Sequence, residues 1–135
     1  MKGISSIVEN VLLAGAIIMF MVYIVGAFND VVDVITNEKV RNSLDIDAKK
    51  VAYAIIFTYT EGSEKGTARV ELDLADIPEE IWFDEGVWAM SGNKRTFATL
   101  YGLENEINVT GTIINTKGFT PYVKYEGGVV YLGVD

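Results

Sequence analysis

The chain of 135 residues has no cysteine, no histidine and only two prolines, and its 11 basic side chains face 19 acidic ones. Without cysteine there is no disulfide framework, no thiolate nucleophile and no zinc site of the Cys/His kind. Without histidine the side chain that titrates near neutral pH is missing, and a serine triad has no middle member. A formal net charge of −8, with no lysine or arginine cluster, works against a polyanionic backbone, so no nucleic-acid partner is expected. Paired carboxylates remain the one route to catalysis and no motif supports it. The chain reads as a non-enzyme with no cofactor and no metal.

What it has in abundance is apolar surface, and that surface is concentrated. From Val11 to Phe28 it runs VLLAGAIIMFMVYIVGAF, 18 residues without a charge, an asparagine or a proline. At ~1.5 Å per residue such a helix is ~27 Å long, close to the hydrocarbon thickness of a bilayer. The only charges before its end are Lys2 and Glu9, so the whole acidic surplus lies beyond Phe28. By the positive-inside rule Lys2 stays in the cytoplasm and the remainder is outside. A cleaved secretory signal is the competing reading. It calls for a more basic leader, a shorter apolar core and a small-x-small cleavage site, for which only Gly26-Ala27 offers material.

Between Asn29 and Phe57 the chain contains neither proline nor glycine, and the helix is expected to continue. Val40, Leu44, Ala48, Val51, Ala52 and Ile55 share one face of the wheel, and Asp45 and Lys49 form an i,i+4 pair. Val31, Val32 and Ile35 point elsewhere, which places a bend or short break at residues 36–43. Unbroken, a helix from Ile4 to Phe57 would be ~80 Å long. Its first half needs lipid or copies of itself as surroundings; its second half needs a domain to cover.

Residues 58–135 switch to period two. Thr67 to Leu74 alternates apolar and polar residues. Further strands are expected at 80–83, 86–90, 95–101, 107–114, 121–126 and 129–134, with Gly127-Gly128 as a two-residue hairpin signal. The fold class is therefore α+β: a long amino-terminal helix, apolar and then amphipathic, packed on a carboxy-terminal antiparallel sheet of five to seven strands. The expected divisions are a leader at 1–3, a membrane or filament-core helix at 4–28, its amphipathic continuation at 29–57 and the sheet domain at 58–135.

The tiny leader ending in glycine, Lys2-Gly3, precedes Ile4-Ser5-Ser6-Ile7-Val8-Glu9 and the apolar run. Together with the long amphipathic continuation and the sheet, this resembles type IV pilins and the pilin-like surface proteins of archaea. The resemblance implies a class III signal peptide cut between Gly3 and Ile4 by a prepilin peptidase. It also implies use of pilus assembly machinery and a helical homo-oligomer built through the amino-terminal helices, which leave the cytoplasmic membrane for an extracellular filament serving attachment or cell contact. Glu9 would be the sixth residue after the cut, whereas bacterial pilins place a glutamate fifth. A non-polymerising membrane-anchored binding module, or a minor or stator-like component, is the alternative.

Other residues carry competing readings. Glu9 is either solvated at an interface or paired during assembly. Gly15 and Gly26, about 20° apart on the wheel at 100° per residue, permit close helix approach. Leu12, Leu13, Ile17, Phe20, Ile24 and Phe28 are the bulky packing residues. Trp82, Trp88, Phe97, Tyr101, Tyr122, Tyr125 and Tyr131 are read as core and cross-strand packing rather than a ligand face. Asp45, Asp47, Glu79, Glu80, Asp84 and Glu85 lack calcium-loop spacing and are read as solvated acidic surface. Asn108-Val109-Thr110 is an acceptor pattern for N-glycosylation.

Overall fold

The computed structural model describes residues 5–135 in full and the backbone alone of residues 2–4. One helix, α1, spans Lys2–Lys65. Helical structure runs through residues 36–43 without interruption, so the expected break is absent. Glu38, Lys39 and Arg41 between the two weak pairs are good helix formers, and single-residue propensities yield to that context. The chain nevertheless divides into two compact units between Glu38 and Lys39, inside that interval.

α1 also outlasts its expected end at Phe57 by eight residues (65 − 57). Gly62 reads as a turn signal but serves packing, since a Cβ there would collide with the ring of Tyr125. Gly66 ends the helix. Its φ of 94° is the left-handed conformation, and its N–H donates to the Gly62 carbonyl at 2.7 Å, the single-bond cap that satisfies one orphan carbonyl.

Seven strands follow: β1 Thr67–Glu71, β2 Glu79–Phe83, β3 Val87–Ser91, β4 Lys94–Ala98, β5 Asn108–Asn115, β6 Pro121–Glu126 and β7 Val129–Val134. They form one sheet in the order β1-β6-β7-β5-β2-β3-β4. Gly127 and Gly128, both at positive φ, make the β6–β7 hairpin as anticipated, pairing Glu126 with Val129. One pairing departs from the antiparallel expectation: β5 and β7 are parallel. The connection after β5 carries the chain past one strand position to β6, and the hairpin returns β7 into the gap. It therefore runs in the direction of β5.

β5 joins two half-sheets. Residues 108–111 pair with β7, and residues 112–115 pair with β2 on the other edge. Gly111 stands at the changeover with φ 94°, its Cα against the Leu132 backbone, whose carbonyl oxygen leaves no room for a Cβ.

In the second unit, the predicted face of α1 packs on this sheet. Leu44, Ala48, Val51, Ala52 and Ile55 meet Ile81, Val87, Ala89, Ile113, Val123 and Val130, all buried, with Val40 partly so. Each fully buried Leu, Ile or Val contributes ~1.5–3 kcal/mol relative to exposure. The Asp45–Lys49 pair forms at 3.0 Å on the exposed side, where such pairs contribute little.

Replacing Gly111 by alanine should therefore be costly in two ways, backbone strain and collision with Leu132. We expect a loss of about 2–4 kcal/mol, read as a lower chemical-denaturation midpoint of the sheet unit.

Candidate functional site

In the first unit, α1 offers its apolar side chains to the surroundings on every side. Leu13 is 61% exposed, Phe20 64% and Phe28 67%, and Leu12, Ile17 and Ile24 are likewise exposed. None of the apolar span is covered by its own chain, and it is long and apolar enough to cross a membrane. Gly15 and Gly26 have no neighbouring atom that a Cβ would meet. The helix backbone there is free to approach another helix closely. Glu9 is exposed and, among the described residues, has no ion-pair partner. The side chain of Ile4 and the environment of Gly3, the expected cleavage junction, lie outside the described residues.

The second unit contains a buried acid pair. Asp47 of α1 is 1% exposed and Glu79, the first residue of β2, is 5% exposed. Both Asp47 oxygens accept from the Ala75 N–H, at 3.2 and 3.0 Å. Asn115 Nδ2 donates to the Ala75 carbonyl at 2.8 Å, the Ile77 carbonyl at 3.2 Å and Glu79 Oε1 at 3.1 Å. Lys50 Nζ donates to the Asp73 carbonyl at 2.7 Å. The β1–β2 connection is thus held from α1 on one side and from β5 on the other.

Burial, then a hydrogen bond to Asp47 and the repulsion of its charge, push the Glu79 carboxyl up to about 9; Asn115 and Lys50 oppose the shift. At neutral pH Glu79 keeps its proton; its Oε2 is buried without a hydrogen-bond partner, and Asp47 is the neighbouring acidic group. A protonated Glu79 avoids burying a second carboxylate charge beside Asp47.

This corrects the reading of Asp47 and Glu79 as solvated surface. Asp45 is half-buried, and Glu80, Asp84 and Glu85 are exposed as expected. A sequence signal for the pair did exist. Asp47 falls three residues after Leu44 and four before Val51, inside the apolar face, and Glu79 shares parity with buried Ile81. Among the described residues, no three His, Cys, Asp or Glu side chains converge as a metal site would require.

No family profile, no curated protein and no solved structure matches this chain.

Asn108 and Thr110 both lie exposed on β5. Their spacing of two puts both side chains on one face of the strand, open to modification. Of the aromatic residues, Tyr125 packs edge-on against Tyr59 with ring centroids 6.0 Å apart, and Tyr122 lies 4.3 Å beneath the Arg69 guanidinium. Tyr101 stacks on Tyr53 at 6.2 Å. Trp82, Trp88 and Phe97 form a cross-strand row, but they are partly exposed rather than core.

The raised Glu79 value sets the sign of a pH dependence. Below about 4.5 the group is protonated folded and unfolded alike; between there and about 9 only the unfolded chain releases the proton. Stability contributed by Glu79 should therefore fall as pH rises through that window, by up to about 1.4 kcal/mol per unit, and level off above it. Glu79→Gln, which has no proton to lose, should flatten the profile and gain most at the alkaline end. Urea unfolding of both proteins at matched pH values measures the difference.

Proposed function

We propose that this protein is a structural subunit of an extracellular filament of the archaeal type IV pilus kind, inserted in the cytoplasmic membrane before assembly. The observation that carries the reading is the apolar helix of the first unit, whose large side chains have no cover within the chain. At ~1.5–3 kcal/mol for each large side chain moved out of water, a dozen of them make a dispersed aqueous monomer untenable. Lipid satisfies that requirement before assembly, and a bundle of identical helices satisfies it afterwards. Support also comes from the Lys2-Gly3 leader ahead of Ile4, from Glu9, and from the sheet-bearing second unit, which would form the outer layer. The net charge of −8 would keep neighbouring filaments apart.

In this reading Gly15 and Gly26 let helices approach in the filament core, and Leu12, Leu13, Ile17, Phe20, Ile24 and Phe28 fill the space between them. A permanent anchor for a non-polymerising binding module uses the same helix but leaves its amino terminus uncut.

Two measurements separate the readings. Sequencing the mature protein from sheared surface fibres should return Ile4 as the first residue; an intact Met1 on a membrane-bound chain would reject the filament proposal. Gly15→Leu combined with Gly26→Leu should leave the chain in the membrane while reducing fibre yield by roughly tenfold or more, since loss of close packing at ~1.4 kcal/mol per interface already shifts association by that factor. Electron micrographs of sheared material provide the count.

A further inference from the structure

The half-sheet β5-β2-β3-β4 has an outer face, turned away from α1, whose side chains the core does not use. The register places Thr112, Trp82, Trp88 and Phe97 in one row across the four strands. A parallel row sets Glu80 beside Met90 and Met90 beside Arg95. The two indole rings lie nearly parallel, 11° apart with centroids at 6.4 Å, and Phe97 closes on Trp88 at 4.8 Å. Trp88 is anchored by its Nε1–H to the Asp84 carbonyl at 3.0 Å. Trp82 is not so tethered. It is flanked by Trp88 on one side and by the short side chain of Thr112 on the other, and it borders a cleft of about 590 Å3 with Glu80, Arg95, Gly111 and Thr112.

That cleft combines three features. An aromatic ring presents an electron-rich face, which attracts weakly positive C–H groups as well as apolar surface. Glu80 is exposed and Arg95 is exposed, and neither is engaged in any hydrogen bond or ion pair among the described residues, leaving an acceptor and a planar donor fork ready. Their opposite charges leave the cleft without a net charge, which matches a neutral ligand. Its volume falls in the range of about 300–1,000 Å3 usual for small-ligand clefts. A neutral ligand with one flat C–H face and a rim of hydroxyls satisfies all three, and a pyranose ring is that ligand. A second copy of the chain fits less well, because a protein interface would desolvate Glu80 and Arg95 without a rigid set of partners for them.

We propose that the outer face of β2, β3 and β4 binds a neutral hexopyranose glycan, one ring seated against Trp82 with its hydroxyls hydrogen-bonded by Glu80 and Arg95. The site does not depend on filament assembly. A chain that remains a membrane-anchored monomer could carry it equally well.

The chain has two tryptophans in all, Trp82 and Trp88, so intrinsic tryptophan fluorescence reports on this face alone. The full chain, held in a detergent without a sugar headgroup, is titrated with maltohexaose, cellohexaose and chitohexaose. A saturable spectral change with at least one of them is expected. Trp82→Ala should abolish binding by calorimetry, Trp82→Phe should keep part of it, and Glu80→Gln should weaken it by roughly tenfold, the usual effect of losing a charged hydrogen bond. Glu80→Gln alters an exposed side chain, so its circular dichroism and unfolding midpoint should match the parent. Absence of a saturable change with all three sugars overturns the proposal, as does unweakened binding by a folded Glu80→Gln. A tryptophan spectrum that shifts with protein concentration alone, without sugar, also overturns it and assigns the face to contact between copies.

Discussion

The dominant constraint on the first unit is a run of large apolar side chains left exposed. From Ile7 to Ile35 the large hydrophobic residues of α1 are exposed on all sides of the helix, which is long and apolar enough to cross a membrane. The energetic requirement is collective. Each side chain contributes little more than a kilocalorie or two, yet together they exceed the total stability of an ordinary domain, about 5–15 kcal/mol. The surroundings of the first unit are therefore part of its structure.

The second unit follows the opposite logic, since it covers its own apolar surface. The carboxy-terminal part of α1 lies on one face of the seven-stranded sheet, and the buried residues come from both. Within that contact sits the Asp47–Glu79 pair, an unusual inclusion because apolar residues of similar volume would often be at least as stable. Its hydrogen bonds reach the backbone of the β1–β2 connection at Ala75 and, through Asn115, at Ile77. The pair thereby orders a segment that has no strand of its own. The cost is a proton that must be kept on Glu79.

The sheet has a division of labour as well. β5 is shared lengthwise between two half-sheets, and Gly111 occupies the changeover because no side chain fits against Leu132. On the β6 side the outer face carries Arg69, which stacks on Tyr122 and bonds Asp135; these groups satisfy one another. On the β2 side the outer face carries Trp82, Glu80 and Arg95, whose polar groups and ring face remain available.

Much of this was legible in the order of the residues. The apolar run, the helical face from Val40 to Ile55 and the strands β6 and β7 follow from local periodicity and from the conformational freedom of Gly127-Gly128, and each is set by residues close together in the chain. The parallel pairing of β5 with β7, the burial of Asp47 beside Glu79 and the placing of Trp82 beside Thr112 depend on segments far apart in the chain. Gly62 shows the limit well: as a residue it signals a turn, and only the ring of Tyr125, 63 positions later (125 − 62), makes it a packing glycine inside a helix. Sequence by itself determined that a long helix precedes a set of strands and which part of that helix cannot face water, because those properties arise from neighbours a few residues apart; it did not place the helix end. Tertiary structure alone decided which carboxyl keeps its proton and which sheet face stays free, because desolvation and pairing depend on what the rest of the fold brings against a side chain.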